Sequence, residues 1–380
     1  MTDAKGLTVS LRQQAPIPLA ADFACAAGEV LALVGPSGSG KSTILRSIAG
    51  TYRPRAGQVR VNSEDWLETA RGLFRPAHRR AVGMVFQSYA LFPHMTALGN
   101  VVTAMPKAGR REQERRGHEL LEMVHLSGLE ARYPAQLSGG QQQRVAVARA
   151  LARQPKALLL DEPFSAVDKA TRQRLYREIA QLRQTLDMPV VLVTHDLDEA
   201  LMLADRLVVL HRGQTLQSGA PEEVTTRPVS PEVARLVELR NLFEGRVREL
   251  DGRSRQGVVK WAGLPLEVTV PQGVAPGDPV HWVIPDGFVV LHRRDRPSRG
   301  EHENPVPGVI GAAFKVGQTA HLTLYPDHAP DLPLHFSVPQ HVAQRNGIEA
   351  GVQASVSLLA KGIHLMPWAS AAETAEVSAE

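Results

Sequence analysis

Eight consecutive residues, Gly35-Pro36-Ser37-Gly38-Ser39-Gly40-Lys41-Ser42, fit the pattern G-x-x-x-x-G-K-[ST] and are followed by Thr43. Glycines at these spacings let backbone N–H groups turn inward around phosphate oxygens. A helix start adds partial positive charge, the Lys41 ammonium reaches the β/γ-phosphates, and the Ser42 hydroxyl is a ligand for Mg²⁺. The context suits this chemistry: Val30 to Val34 is a wholly apolar strand, and Lys41 to Ala49 reads as a helix ended by Gly50. The loop therefore predicts a bound nucleoside triphosphate.

Four further places carry polar groups where they are expensive or pointed. Ala157-Leu158-Leu159-Leu160-Asp161-Glu162 is an apolar strand closed by two carboxylates, with Pro163 beyond them; acids at the carboxyl end of a buried strand fit a cation or a water. Val82 to Gln87 is a buried strand ending in an amide, and Pro189 to His195 is another ending in an imidazole. Ser138-Gly139-Gly140 opens an apolar-periodic stretch running to Leu151, with Ser138 as N-cap, which makes a second outward-facing set of N–H groups. Taken singly, His195 reads as a structural histidine, Gln87 as a strand cap and Asp168 as the N-cap of the helical stretch Ala170 to Thr185.

The elements that must position these groups alternate. Leu7 to Leu11 and Phe23 to Ala26 read as antiparallel strands, and Gly57 to Val61 as a short one. Arg110 to Val124 is a helix whose interleaved Arg and Glu residues make a solvated, ion-paired face. Leu197 to Ala204 is a helix, and Leu207 to Leu210 with Thr215 to Gln217 is a hairpin turned at Arg212-Gly213. Strands alternating with helices imply an α/β domain with a largely parallel sheet.

The 380 residues suffice for two or three domains, and 43 basic against 39 acidic residues leave a formal charge of only +4. The basic residues form no single block, so nucleic-acid binding is not expected. Cys25 is the only cysteine, which excludes an intramolecular disulfide and a cysteine metal site and fits a reducing compartment. No apolar run approaches a membrane span and no secretory signal follows Met1, so a membrane role is expected to be peripheral.

From Asn241 the composition shifts to prolines, glycines and short alternating runs, the mark of an all-β domain. It repeats itself loosely: Gly245-Arg246-Val247, Leu266 to Pro271 and Val280 to Ile284 are echoed by Gly308-Val309-Ile310, Leu334 to Pro339 and Val356 to Leu359. The echo predicts two interlocked β-barrel halves, with Trp261, Trp282 and Trp368 in the core. The expected organisation is a nucleotide-binding domain over 1–229, a linker helix over 230–242, a β domain over 243–368 and a small acidic, disordered tail over 369–380.

Together these motifs resemble the ATP-binding subunits of ABC transporters across roughly Leu7 to Arg240. Phe86-Gln87 is similar to the family's Q-loop, Leu137 to Gln141 to its signature, Leu158 to Glu162 to Walker B, Ser165-Ala166-Val167-Asp168 to the D-loop, and His195 to the switch histidine. The resemblance implies an α/β P-loop NTPase domain followed by an accessory barrel of the oligonucleotide-fold-like (TOBE/MOP-like) kind. It implies a head-to-tail dimer in which each ATP lies between one copy's phosphate loop and the other copy's Ser138, Gly139 and Gly140. Mg²⁺ would be held by Ser42, Asp161 and Gln87, Glu162 would polarise the attacking water, His195 would contact the γ-phosphate, and Asp168 would communicate across the dimer. One departure stands out: Arg12 to Pro18 holds no aromatic where family members often stack adenine, leaving the Arg12 guanidinium or a loose grip on the base.

About a hundred residues separate Gly35 from Ser138, which resembles importers rather than chromosome-maintenance ATPases with coiled-coil insertions. Tyr89 to Thr96 resembles the importer surface that receives transmembrane subunits; burial of Leu91 and Phe92 in the subunit's own core is the plainer alternative. The implied partners are a second copy, transmembrane permease subunits and, indirectly, a substrate-binding protein, with the chain on the cytoplasmic face of the plasma membrane. The segment Trp66 to Arg80, the missing aromatic and the repeated β domain look most like molybdate importers. Sulfate, iron(III) and polyamine importers have similar ATPases, and a permease-independent ABC ATPase acting in regulation or on nucleic acid is the alternative from another class.

Overall fold

The computed structural model describes residues 5–107, 109–165, 172, 176, 186–292 and 303–368. The chain divides into two compact units, Met1–Pro221 and Glu222–Glu380.

The first unit is built on an 11-stranded mixed sheet. In chain order it contains β1 (Gly6–Gln13), β2 (Leu19–Ala26), β3 (Val30–Val34), α1 (Lys41–Ala49), β4 (Ala56–Val61), β5 (Glu64–Glu68), β6 (Leu73–Phe74) and β7 (Val82–Val85). There follow α2 (Ala97–Val102), α3 (Arg110–Met123), α4 (Gly139–Leu151), β8 (Ala157–Asp161), β9 (Val190–Val193), α5 (Leu197–Leu203), β10 (Arg206–His211) and β11 (Gln214–Gly219). The strand order is β6-β5-β4-β1-β2-β11-β10-β3-β9-β8-β7. Strands β10, β3, β9, β8 and β7 are parallel neighbours, and their apolar runs are buried on both faces, as helix-covered parallel strands must be. The β1–β2 and β1–β4 ladders are antiparallel, and β1 alternates buried with less buried side chains.

This layout fixes the site. Parallel strands end at one edge, so the residues leaving β3, β7, β8 and β9 emerge side by side. They are Gly35, Phe86-Gln87, Asp161-Glu162 and Thr194-His195. Strand β7 stops at Val85, two residues short of the expected run, because Phe86 turns outward and is 44% exposed. Helix α1 ends at Gly50 in the left-handed conformation. Its last carbonyls are claimed by a buried arginine: Arg80 Nη1 donates to Ser47 O at 2.7 Å and Ile48 O at 2.6 Å. The Arg110-to-Glu119 face carries the expected surface ion pairs, Arg110–Glu114 and Arg115 with Glu112 and Glu119. The hairpin turns where expected, with Arg212 and Gly213 both at positive φ. The expected helix from Ala170 to Thr185 lies, apart from Arg172 and Tyr176, outside the described residues.

The second unit begins its β structure after a short helix, α6 (Pro231–Leu236), capped by Ser230. Its strands are β12 (Leu242–Leu250), β13 (Gln256–Trp261), β14 (Leu264–Thr269), β15 (Pro279–Val283), β16 (Val289–Leu291), β17 (Pro305–Val316), β18 (Thr319–Pro326), β19 (Leu334–Pro339), β20 (Gln353–Leu358) and β21 (His364–Pro367). They form two five-stranded sheets ordered β14-β13-β12-β15-β21 and β16-β20-β17-β18-β19. Each half contributes four strands to its own sheet and sends its last strand to the other. β16 pairs with β20, and β21 pairs with β15. This strand exchange is the interlocking that the sequence echo predicts. Trp261 and Trp282 are fully buried and meet edge to face at 5.2 Å in one core with Leu322 and Phe336. Trp368 corrects the sequence expectation: it is 43% exposed and stacks on His281 at 4.3 Å. The unit is an all-β near-barrel of the TOBE-like kind. The tail over 369–380 lies outside the described residues.

Candidate functional site

At the strand-end edge the phosphate loop is a cradle open to solvent. Pro36, Ser37 and Gly38 are exposed, and no atom lies within 4 Å of the place a Cβ on Gly38 would take. Gly38 and Gly40 have φ of 82° and 94°, and a Cβ on Gly35 would meet Leu210 O at 2.1 Å, so the loop's path requires glycine. Ser39 Oγ is buried and has no hydrogen-bond partner among the described residues, a polar group left for something else to satisfy. Lys41 is 6% exposed, and its Nζ donates to Gly35 O at 2.7 Å and Pro36 O at 2.9 Å. Burial pushes its ammonium below the usual lysine range, while the Glu162 and Asp161 carboxylates push back. Thr43 stands in the first turn of α1.

Across the mouth of this cradle stands β8. Ser42 Oγ donates to Asp161 Oδ1 at 3.4 Å. Burial raises the Asp161 carboxyl above its ordinary value, opposed by the Ser42 hydrogen bond and reinforced by the charge of Glu162. Among the described residues no three His, Cys, Asp or Glu side chains converge to hold a metal unaided. A hydroxyl beside one carboxylate is the sparse protein share that Mg²⁺ takes when water and phosphate oxygens complete its shell. The donor set thus fits Mg²⁺ with a phosphate ester.

Glu162 leaves the β8 ladder with φ 44°, a conformation that L-residues other than Asn and Asp rarely adopt, and its N–H donates to Val193 O at 2.9 Å. The turn delivers its carboxylate to two neighbours at once. Gln87 Nε2 donates to Glu162 Oε2 at 3.1 Å, and His195 Nδ1 lies 3.3 Å from the same oxygen. Gln87 and His195 are exposed, so the cluster faces solvent.

Ser138, Gly139 and Gly140 stand apart from this group. Ser138 Oγ accepts from Gln141 N at 3.3 Å, and Gln141 Oε1 accepts from Ser138 N at 2.9 Å, a reciprocal capping box that leaves exposed Ser138 at the start of α4. Asp168 lies outside the described residues. Arg12 is ion-paired with Asp22 across the β1–β2 ladder, and Ile17 is 38% exposed. In the segment after Gln87, Tyr89 is buried but Phe92 is 42% exposed, so burial in the subunit's own core fails for Phe92.

One site residue escaped the sequence reading. Glu199, in the first turn of α5, is 4% exposed and accepts a hydrogen bond from Thr194 Oγ1 at 2.8 Å, one residue before His195. Its only sequence signal is an acid on the apolar side of a short helix. Burial pushes its carboxyl up to about 7 from 4.5, with the Thr194 hydrogen bond opposing and the Asp196 charge adding. The folded chain then holds a proton that the unfolded chain releases near pH 4.5. Stability is full below that pH and falls as pH rises through about 7. The loss amounts to about 3 kcal/mol. Glu199→Gln is expected to remove this slope, so thermal melts of variant and wild type should diverge between about pH 5 and pH 8 with the variant the more stable at the upper end.

The ABC transporter family model matches residues 20–165. The chain is 46% identical over 244 residues to the sulfate/thiosulfate import ATP-binding protein CysA of Caulobacter vibrioides, covering 63% of this chain and 70% of the relative. It is 38% identical over 305 residues to the putrescine transport ATP-binding protein PotG of Escherichia coli, covering 79% and 75%. It is 43% identical over 239 residues to the Fe(3+) ions import ATP-binding protein FbpC of Rhizobium etli, covering 62% and 65%. Phosphate cradle, acidic strand end and relatives agree: the chain belongs to the ATP-binding subunits of ABC transporters, ATPases coupled to transport.

Proposed function

We propose that the chain powers import of a small oxyanion, working as a pair of copies on the cytoplasmic face of the membrane. Transmembrane permease subunits would be driven by it, and a substrate-binding protein would deliver cargo to them. Among the described residues no helix is long and apolar enough to cross a membrane. The observation that carries the reading is the convergence of Gln87 and His195 on one oxygen of Glu162, beside the Ser42–Asp161 pair.

In this reading the N–H groups from Gly35 to Gly40, with Lys41, hold the phosphates of ATP, and Ser42, Asp161 and Gln87 seat Mg²⁺. Charge on the phosphate oxygens would be neutralised by the ion these residues would hold. Glu162 orients and polarises the attacking water, and His195 fixes the Glu162 carboxylate and senses the γ-phosphate. The Ser138 hydroxyl and the Gly139 and Gly140 N–H groups of the second copy close over the same phosphates, which suits a helix start at which Ser138 is exposed. Asp168 is assigned the contact between copies.

For cargo, sulfate or thiosulfate is supported by a relative's name, and molybdate by the likeness of the repeated β unit. Putrescine and Fe(3+) are what two other relatives carry by name. Disrupting the gene and measuring uptake of labelled sulfate, molybdate, iron(III) and putrescine tests this. Loss of an oxyanion alone is expected; loss of only iron or putrescine overturns the oxyanion assignment.

A further inference from the structure

Two residues beyond Gln87 the backbone does something unusual. Tyr89 and Ala90 are consecutive non-glycine residues in the left-handed region, with φ of 59° and 49°. Such residues persist there only when their surroundings hold them. The hold comes from another element. Arg149, in the last turn of α4, donates from Nη2 to Tyr89 O at 2.8 Å and from Nη1 to Ala90 O at 2.7 Å. Its guanidinium also lies 5.7 Å from the centre of the exposed Phe92 ring. The segment is pinned a second time by buried Asn100 of α2, which accepts from Phe92 N at 2.8 Å and donates to Phe92 O, Met95 O and Thr96 O.

The planar guanidinium spans two adjacent carbonyls, a geometry that a lysine ammonium does not reproduce. Arg149 therefore ties the segment carrying Gln87 to the helix whose other end presents Ser138. Gln87 in turn touches Glu162.

We propose that Arg149 is a positioning residue for Gln87. By gripping the left-handed Tyr89-Ala90 turn it makes α4 a strut between the Ser138 helix start and the Gln87–Glu162 contact. The inference rests on the assignment of Gln87 and Glu162 to ATP hydrolysis. Its effect belongs chiefly on turnover, because Arg149 touches neither the phosphate loop nor Lys41, which hold the phosphates, and Gln87 adds only one ligand to an ion that Ser42 and Asp161 also seat.

The test uses the full-length chain with MgATP. Arg149→Lys is expected to lower kcat about tenfold while KM for ATP stays within about twofold, as a displaced positioning group would. Ala90→Gly, which adopts positive φ without cost, is expected to leave wild-type turnover within about twofold and, added to Arg149→Lys, to recover at least about a third of the lost rate. Unchanged kcat in Arg149→Lys overturns the proposal, as does a loss that Ala90→Gly fails to relieve, or a joint fall of kcat, affinity and melting temperature. Glu162→Gln measured alongside separates the two assignments. If it leaves hydrolysis intact, the reading of Gln87 and Glu162 falls; if it abolishes hydrolysis while Arg149→Lys does not slow it, only the strut falls.

Discussion

Replacing Glu162 by Gln is expected to lower MgATP hydrolysis about a hundredfold or more while ATP affinity stays within about threefold. The substitution is nearly isosteric, so the positive-φ turn and the N–H bond to Val193 O persist. The Gln87 amide still finds an oxygen at the position of Oε2, 3.1 Å away. What disappears is the negative charge proposed to polarise water, on the oxygen that lies 3.3 Å from His195 Nδ1. Because Ser42, Asp161 and Lys41 are untouched, the nucleotide site survives, and a chain that binds without turning over should accumulate as an ATP-bound pair of copies. Phosphate release and equilibrium ATP binding on one preparation decide the point; wild-type turnover would remove Glu162 from the chemistry.

Replacing Lys41 by Ala is expected to act on binding instead. Its ammonium is almost wholly buried and held by two carbonyls of its own loop. Removal strips the cradle of its only cation among the described loop residues 35–43 and leaves Gly35 O and Pro36 O without their donor. Losing one or two charge-assisted hydrogen bonds to phosphate predicts an ATP Kd raised about a hundredfold, or about 3 kcal/mol. Calorimetric titration with MgATP measures it. Affinity equal to wild type would mean that the phosphates lie elsewhere.

These predictions concern residues whose placement was legible because the signals were local and backbone-driven. An apolar strand, a glycine loop and a helix ending at Gly50 coincide at Gly35–Ser42, and parallel strands must present their ends at one edge. Gln87, Asp161 and His195 could be placed on the same grounds. The positive φ of Glu162, Tyr89 and Ala90 was not legible, since none is a residue type that favours it and each is imposed by tertiary bonds. Arg149 hid for a related reason: on an apolar-periodic helix, an arginine reads as surface. In the second unit the repeat and the interlocking of its halves were visible, but not which strands, β16 and β21, make the exchange, because a strand's alternation says nothing about which edge it joins. Trp368 departs from the core expected of it: its ring partner is the half-buried His281, and it remains 43% exposed.

The account's central claim is that hydrolysis at the Glu162 cluster powers import. The uptake assay tests it most directly when the disrupted strain is complemented with wild-type or Glu162→Gln chain at equal expression. The prediction is that the wild-type chain restores oxyanion uptake and the variant does not. Equal uptake with both would contradict it.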